Sequence, residues 1–131
     1  MVFCPECEIR VPGVKMLQVG SLPRCLVLHL KRFSQVGVRT DKSPSVPVSF
    51  PLEGLDIAPY SLNGVSMVFD YVAVCCHHGR NLHSGHYTAF SRRNGFWFFY
   101  DDEKRPAQVD AAKVMSHESC EAAYMIFYVR R

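Results

Sequence analysis

The 131-residue sequence lacks any long apolar run, and it also lacks a strong charge of either sign. A helix that spans a membrane needs about 20 predominantly apolar residues, and no segment approaches that length. Lys and Arg total 15 against 12 Asp and Glu, giving a formal net charge of +3. A protein that binds nucleic acid through its phosphates usually carries a denser basic patch. We therefore expect neither a membrane nor a nucleic acid as a partner.

Secretory and disulfide signals are also missing. The first residues show no basic region followed by an apolar segment, the pattern of a secretory signal. The six cysteines are unevenly spaced, unlike the cysteines of small disulfide scaffolds, and no repeat or low-complexity tract occurs. With 48% hydrophobic residues, the chain can bury one ordinary core. These features predict an intracellular protein, in the cytoplasm or nucleus, with reduced cysteines.

A single CxxC motif, formed by Cys4 and Cys7, stands near the start of the chain. Its spacing allows two thiolates to bind one tetrahedral zinc ion, which needs two further ligands. None of the other four cysteines forms a second CxxC motif. The motif therefore predicts half of a structural zinc site, and the alternative is a pair of thiols without a metal. No cofactor for catalysis is predicted.

A β-hairpin is predicted around Asn94 and Gly95, which separate two β-prone runs. Both central residues of a type I′ turn need positive φ, and an Asn-Gly pair meets this need better than other pairs. If these two residues form the whole loop, counting outward places Phe90 opposite Phe99. The register of the hairpin is thereby fixed.

This register brings a histidine and an acid to one face of the sheet. His86 and Thr88 share a face, and the count pairs Thr88 with Asp101. A diagonal pair such as His86 and Asp101 has Cβ atoms about 7–8 Å apart, within reach of a hydrogen bond. Asp102 points away and is the alternative, because a bulge would shift the register by one residue. An acid that holds imidazole Nδ1–H would leave Nε2 to accept a proton from a nucleophile.

The nucleophile itself is missing. A catalytic thiol usually lies at a helix N-terminus or beside a cation that lowers its pKa, and no cysteine outside the CxxC motif has such a setting. We expect three of these cysteines to pack in the core as small apolar residues. They are Cys25, Cys75 and Cys76. The predicted histidine and acid are therefore two members of a triad of three.

The remaining pattern indicates an α+β fold with a mainly antiparallel, twisted sheet. The one convincing helix covers residues 111–115, with Asp110 as its N-cap. Two polar stretches rich in glycine, serine or charge, residues 35–47 and 77–85, are predicted to be loops.

Several blocks of the chain resemble the C-terminal half of the ubiquitin-specific protease catalytic domain. They are residues 22–33, 48–51, 69–74, 84–90 and 123–128, together with His78-Gly79 and with Trp97 followed by Tyr100-Asp101-Asp102. The blocks occur in the order of that family and cover nearly the whole chain. The resemblance implies the palm-type sheet of a papain-like cysteine protease. Residues 1–20 would be the remnant of a zinc-finger ribbon, and residues 21–131 the palm of this single partial domain.

The resemblance also implies a function. Enzymes of this family hydrolyse the isopeptide bond at the C-terminus of ubiquitin, with a histidine that maps onto His86 and an acid that maps onto Asp101. Cys4 and Cys7 would be the second CxxC of a four-cysteine zinc finger. Residues 35–47 and 77–85 would border the channel for the ubiquitin tail. The substrate-binding residues expected there are His78, Gly79, Ser84, Gly85 and Tyr87.

The N-terminal half of the family's domain, with its nucleophilic cysteine block, has no counterpart in this sequence. We therefore expect the chain to be inactive alone and to need that N-terminal half, with ubiquitin or a ubiquitinated protein as its other partner. The alternative is a non-catalytic ubiquitin-binding or scaffold module that keeps the sheet without the chemistry.

Overall fold

The described residues form one large antiparallel sheet, two short helices and a separate two-stranded ribbon. The computed structural model describes residues 1–36, 39–42, 46–81 and 83–131, with the backbone alone for residues 35, 36 and 39–42. The strands are β1 Val2–Cys4, β2 Ile9–Val11, β3 Cys25–His29, β4 Phe33–Val36, β5 Arg39–Lys42, β6 Leu55–Asp56, β7 Val68–Asn81, β8 Ser84–Arg93, β9 Phe96–Tyr100, β10 Ala107–Val109 and β11 Ala123–Arg130. The helices are α1 Ala111–Val114 and α2 His117–Ala122, with a 3-10 turn at Ala58–Tyr60.

Strand β7 is the centre of the large sheet. It pairs with β8 on one side and β11 on the other, in the order β10-β9-β8-β7-β11-β3, while β5 and β6 join it at its two ends. Strands β1 and β2 form the separate ribbon. Every strand pair that the structure describes is antiparallel. The predicted mainly antiparallel α+β class is confirmed.

The core is organised around the fully buried Tyr71 of β7. Its ring lies 5.2 Å from that of Phe50, 5.0 Å from that of Trp97 and 5.7 Å from that of Tyr128, measured between centroids. Tyr128 donates a hydrogen bond of 2.8 Å to the carbonyl of Pro51. Aromatic pairs at these separations contribute beyond the area they bury. This cluster fixes β7 and β11, and β7 in turn carries the strands of the site.

Both predicted loops contain strands instead. β7 continues to Asn81 and β8 begins at Ser84, so most of the stretch 77–85 is paired backbone. The stretch 35–47 contains the end of β4 and all of β5, which pair with each other. Polar residues and glycines suggested loops in both cases. The backbone hydrogen bonding between strands continues through them because each strand has a partner beside it. Residues 37, 38, 43–45 and 82 of these stretches lie outside the described residues.

The helical prediction was correct for α1 and missed α2. Asp110 caps α1 by accepting a 2.8 Å hydrogen bond from the amide of Lys113. α2 begins after Ser116, whose hydroxyl accepts from the amide of Ser119. Its buried face consists of small residues rather than an apolar stripe, so periodicity gave little signal. Neither these helices nor the 3-10 turn has the length and hydrophobicity needed to cross a bilayer.

A buried arginine connects α2, β11 and the segment before Phe50. Arg32 is 7% exposed. Its Nε donates to the carbonyl of Ala123 at 2.6 Å, its Nη2 to Cys120 at 2.9 Å and its Nη1 to Val46 at 3.0 Å. The first two carbonyls lie at the C-terminal end of α2, where the helix dipole favours a cation. Burial lowers the pKa of Arg32, but three carbonyl partners compensate for its lost hydration.

Candidate active site

The Asn-Gly turn sets the register that the sequence predicts. Asn94 and Gly95 have φ of 51° and 83°, both in the left-handed region. β8 and β9 pair with Phe90 opposite Phe99, and the ladder ends where Ala89 meets Tyr100. The chain therefore leaves β9 immediately before the two acids.

His86 lies between these two acids. Its Nε2 is 2.5 Å from Oδ1 of Asp101, a short hydrogen bond, and its Nδ1 is 3.6 Å from Oδ2 of Asp102, beyond hydrogen-bond distance. The Asp101 side chain is 16% exposed, whereas that of Asp102 is 72% exposed and its backbone has φ of 46°. The structure thus brings both candidates to the histidine and gives the hydrogen bond to Asp101.

The expected ring nitrogen was wrong. The acid was expected at Nδ1 of His86, but Asp101 contacts Nε2. Nε2 is the ring nitrogen farther from the backbone, and an acid in a diagonal position on the next strand needs that longer reach. In this arrangement Nδ1 is the nitrogen that could exchange a proton with a nucleophile.

Lys104 is a neighbour of the site that the strand pattern did not predict. Its Nζ is 2.6 Å from Oδ2 of Asp101, and its amide donates to the Asp101 carbonyl at 3.0 Å. The Lys104 ammonium, and next the hydrogen bond to His86, hold the pKa of Asp101 below its usual range. The same contact raises the pKa of Lys104. The sequence signal that could have indicated this contact is a lysine three residues after the acid, in a turn.

His78 and Tyr87, two of the five predicted substrate-binding residues, lie on opposite faces of the β7–β8 hairpin. His78 is the cross-strand partner of His86 and therefore shares its face, where its Nε2 lies 2.9 Å from the Thr88 hydroxyl. Tyr87 is on the opposite face, 44% exposed, with its ring 4.8 Å from that of the buried His77. His78 is thus the predicted residue that borders the His86 side chain.

Ser84 belongs to the tight connection that leads into β8. The Asn81 Oδ1 accepts hydrogen bonds from the Ser84 amide at 2.8 Å, the Ser84 hydroxyl at 2.9 Å and the His83 amide at 3.0 Å. Such an Asx-type arrangement fixes the local backbone. The connection holds the start of β8, and His86 follows two residues later.

Gly79 and Gly85 are required by a close approach of two strands. A Cβ at Gly79 would lie 2.6 Å from the Ser84 carbonyl oxygen, and one at Gly85 would lie 2.8 Å from the His78 carbonyl oxygen and collide with the His77 ring. Only glycine fits such positions without a shift of the backbone. The absence of a side chain at both positions allows β7 and β8 to approach closely beside His86.

We expect Gly85→Ala to lower the free energy of unfolding by about 1–3 kcal/mol, the usual cost of overpacking. Gly20→Ala is the matched control, because a Cβ there meets nothing within 4 Å and φ is not positive. That control should lie within about 0.5 kcal/mol of wild type. Urea denaturation of both variants checks this, and equal midpoints would contradict the close-approach explanation.

The cysteines of the large sheet and of α2 are not placed as nucleophiles. Burial raises the pKa of Cys75 and of Cys120, which disfavours the reactive thiolate. Cys76 is buried, as predicted, and Cys75 is half-buried. Cys25 is exposed, so its predicted place in the core was wrong. On β3 the inward face is that of Leu26 and Leu28, and Cys25 alternates away from it.

The CxxC pair lies at the end of the ribbon. Cys4 ends β1, and the Sγ atoms of Cys4 and Cys7 are 3.6 Å apart. Two sulfurs at about 2.3 Å from a tetrahedral zinc ion are separated by about 3.8 Å, so the pair fits half of such a site. Hydrogen bonds from the backbone of Cys7 and Glu6 lower the pKa of Cys4. Within the described residues, no third ligating side chain groups with them.

Comparison with known proteins agrees with this geometry. The profile of the ubiquitin carboxyl-terminal hydrolase family matches residues 2–128 of the chain. This chain belongs to that family. Mouse ubiquitin carboxyl-terminal hydrolase 43 is 36% identical to it over 155 residues, and mouse ubiquitin carboxyl-terminal hydrolase 3 is 34% identical over 138. The alignments cover 98% and 100% of this chain, but only 13% and 25% of those relatives.

Solved structures of the family share the fold. The SAGA DUB module of Ubp8, Sgf11, Sus1 and Sgf73 bound to monoubiquitin contains a chain that superimposes with a TM-score of 0.80 at 29% identity. A structure of the module bound to ubiquitin aldehyde gives 0.80 at 28%. Each match covers 99% of this chain, and 28% and 29% of the other. The chain therefore spans less than a third of each of those larger chains.

Proposed function

We propose that this chain is the part of a thiol-dependent deubiquitinating enzyme that supplies the general base and its orienting acid. The observation that carries the proposal is the hydrogen bond from His86 Nε2 to Asp101, formed in a fold of the ubiquitin carboxyl-terminal hydrolase family. The substrate is ubiquitin joined through its C-terminus to a lysine of a protein. An intracellular place, in the cytoplasm or nucleus, suits such a thiol enzyme.

In the proposed reaction, the N-terminal half of the domain supplies the cysteine. His86 Nδ1 takes the thiol proton, and the sulfur attacks the carbonyl carbon of the isopeptide bond. The resulting imidazolium, held by Asp101, then protonates the leaving lysine amine as the thioester forms. Water then attacks the thioester carbon and gives a proton to His86, the C–S bond breaks, and His86 returns the proton to the sulfur as ubiquitin leaves with a free C-terminal carboxyl group. His78 and the strand approach at Gly79 and Gly85 border the substrate tail.

An exposed apolar surface supports the need for the N-terminal half. Backbone hydrogen bonds join Val19 to the residues around Ser61. The two segments that meet there present large apolar side chains to solvent. These side chains are Val14, Met16, Leu17, Tyr60 and Leu62, each at least 63% exposed. Apolar surface of this kind usually meets another protein surface.

Turnover of a ubiquitin–lysine conjugate tests the proposal. The chain is mixed with the N-terminal half of the catalytic domain of a family member, and each half is also assayed alone. We expect hydrolysis only in the mixture. The competing binding module would instead show micromolar ubiquitin affinity for the chain alone in a calorimetric titration, with no hydrolysis in the mixture.

We also propose that Cys4 and Cys7 supply two of four zinc ligands, the others coming from the N-terminal half. A bound zinc ion here would be structural and would take no part in the reaction. We expect the complex of the two halves to hold about one zinc per molecule by elemental analysis, and Cys7→Ser to abolish this binding. Cys25→Ser, an exposed cysteine on β3, is the control. Equal zinc content in both variants would contradict the assignment.

A further inference from the structure

The turn that follows β9 gives Asp101 a second side-chain partner, the ammonium of Lys104. One carboxylate oxygen of Asp101 faces His86 Nε2 at 2.5 Å, and the other faces Lys104 Nζ at 2.6 Å. The carboxylate thus bridges the two groups, one oxygen to each. The proposed function uses only the first contact.

We propose that Lys104 is a positioning residue that holds the Asp101 carboxylate in the orientation in which it binds His86. The inference rests on the proposed function, because it concerns the orientation of the proposed base. A carboxylate with one contact can rotate about its Cβ–Cγ bond, whereas a carboxylate fixed at both oxygens cannot do so without breaking a contact. Lys104 supplies this second contact from a well-defined place, because its amide also bonds to the Asp101 carbonyl.

The position of Asp102 makes the second contact consequential. Its Oδ2 is 3.6 Å from His86 Nδ1, the nitrogen that the reaction needs. If Asp101 turned away from Nε2, His86 could pair with Asp102 instead and present the wrong nitrogen to the nucleophile. Lys104 opposes this exchange by keeping Asp101 ionised and in place. Its ammonium is the largest cause of the lowered pKa of Asp101.

Three variants test the inference in the complex of the two halves. Lys104→Met removes the ammonium and keeps the apolar stem, and Lys104→Arg restores a cation. Lys113→Met is the matched control, because it removes an exposed lysine of α1 that pairs with Glu118 of α2 at 3.3 Å. We expect Lys104→Met to lower the turnover rate about two- to fivefold, as suits an exposed ion pair. Lys104→Arg should restore most of the rate, and Lys113→Met should leave it unchanged.

A titration of Asp101 gives a readout that does not depend on turnover. The titratable groups that surround it are His86 from β8, whose cross-strand partner is His78 of β7, and Asp102 and Lys104 from the turn. Carboxyl carbon NMR of the chain should show the pKa of Asp101 rising in Lys104→Met. When the solution is acidified, Asp101 of the variant is then protonated at a higher pH than Asp101 of the wild type.

The two readouts separate the possible failures. An Asp101 titration that is the same in wild type and Lys104→Met would overturn the inference, as would a shifted titration with unchanged turnover. A complex that hydrolyses nothing, even as wild type, would overturn the proposed function instead. In that case the titration would still show whether Lys104 acts on Asp101.

Discussion

Replacement of His86 by alanine is expected to reduce isopeptide hydrolysis by the complex of the two halves by about 10²–10⁴-fold. The variant removes the group that takes the thiol proton and later protonates the leaving amine. Another histidine is not expected to replace it, because it is the hydrogen bond to Asp101 that orients the His86 ring. The measurement is kcat/KM for a ubiquitin–lysine conjugate.

His83→Ala is the matched control for His86→Ala. His83 is an exposed histidine in the turn before β8, and its backbone amide donates to Asn81. Its loss should leave kcat/KM within about twofold of wild type. Such a change corresponds to about 0.5 kcal/mol, the usual limit for a surface substitution. Equal activities of the two histidine variants would show that His86 is not the base.

The two acids can be separated with the same assay. Asp101→Asn should cost more than Asp102→Asn, because only Asp101 has a hydrogen bond to the ring and is mostly shielded from solvent. The opposite order would assign the orienting role to Asp102.

Arg32→Met is expected to lower the free energy of unfolding by about 3 kcal/mol or more. The variant leaves carbonyls of Ala123, Cys120 and Val46 without their charged donor, and each lost bond to a charged group costs about 1.5–3 kcal/mol. Arg32→Lys should recover only part of this, because one ammonium cannot match the spread of the guanidinium nitrogens.

Urea denaturation followed by fluorescence measures this effect. The only tryptophan, Trp97, is 6% exposed and packs on Tyr71, so its emission should change when the core opens. Lys31→Met replaces the adjacent exposed cation and should leave the midpoint nearly unchanged. Coinciding midpoints for the two methionine variants would show that the three carbonyl bonds contribute little.

Local chemistry determined what the sequence could predict about the site. The type I′ turn requires positive φ at both central residues, and Asn94 and Gly95 tolerate it, so the turn fixed the register of the hairpin. The register alone placed Asp101 near His86. The ring nitrogen that receives the acid depends on a side-chain rotation, which strand pairing does not determine. Lys104 reaches Asp101 through a turn whose geometry was not part of the strand pattern.

Contacts between residues far apart in sequence explain where the predicted fold was wrong. The ladder between β7 and β8 continues through polar residues and glycines because the two strands support each other, so composition misled over residues 77–81. Arg32 could not be placed from sequence, because two of its carbonyl partners lie 88 and 91 residues away. Cys25 faces outward because the leucines on β3 take the inward positions.

The most direct test of the account is covalent capture of ubiquitin with an electrophilic C-terminus, followed by intact mass measurement of both halves. We predict that the adduct forms on the cysteine of the N-terminal half, that it requires the presence of this chain, and that His86→Ala prevents it. An adduct that forms as fast without this chain, or one found on a cysteine of this chain, would contradict the assignment of His86 and Asp101 as base and orienting acid.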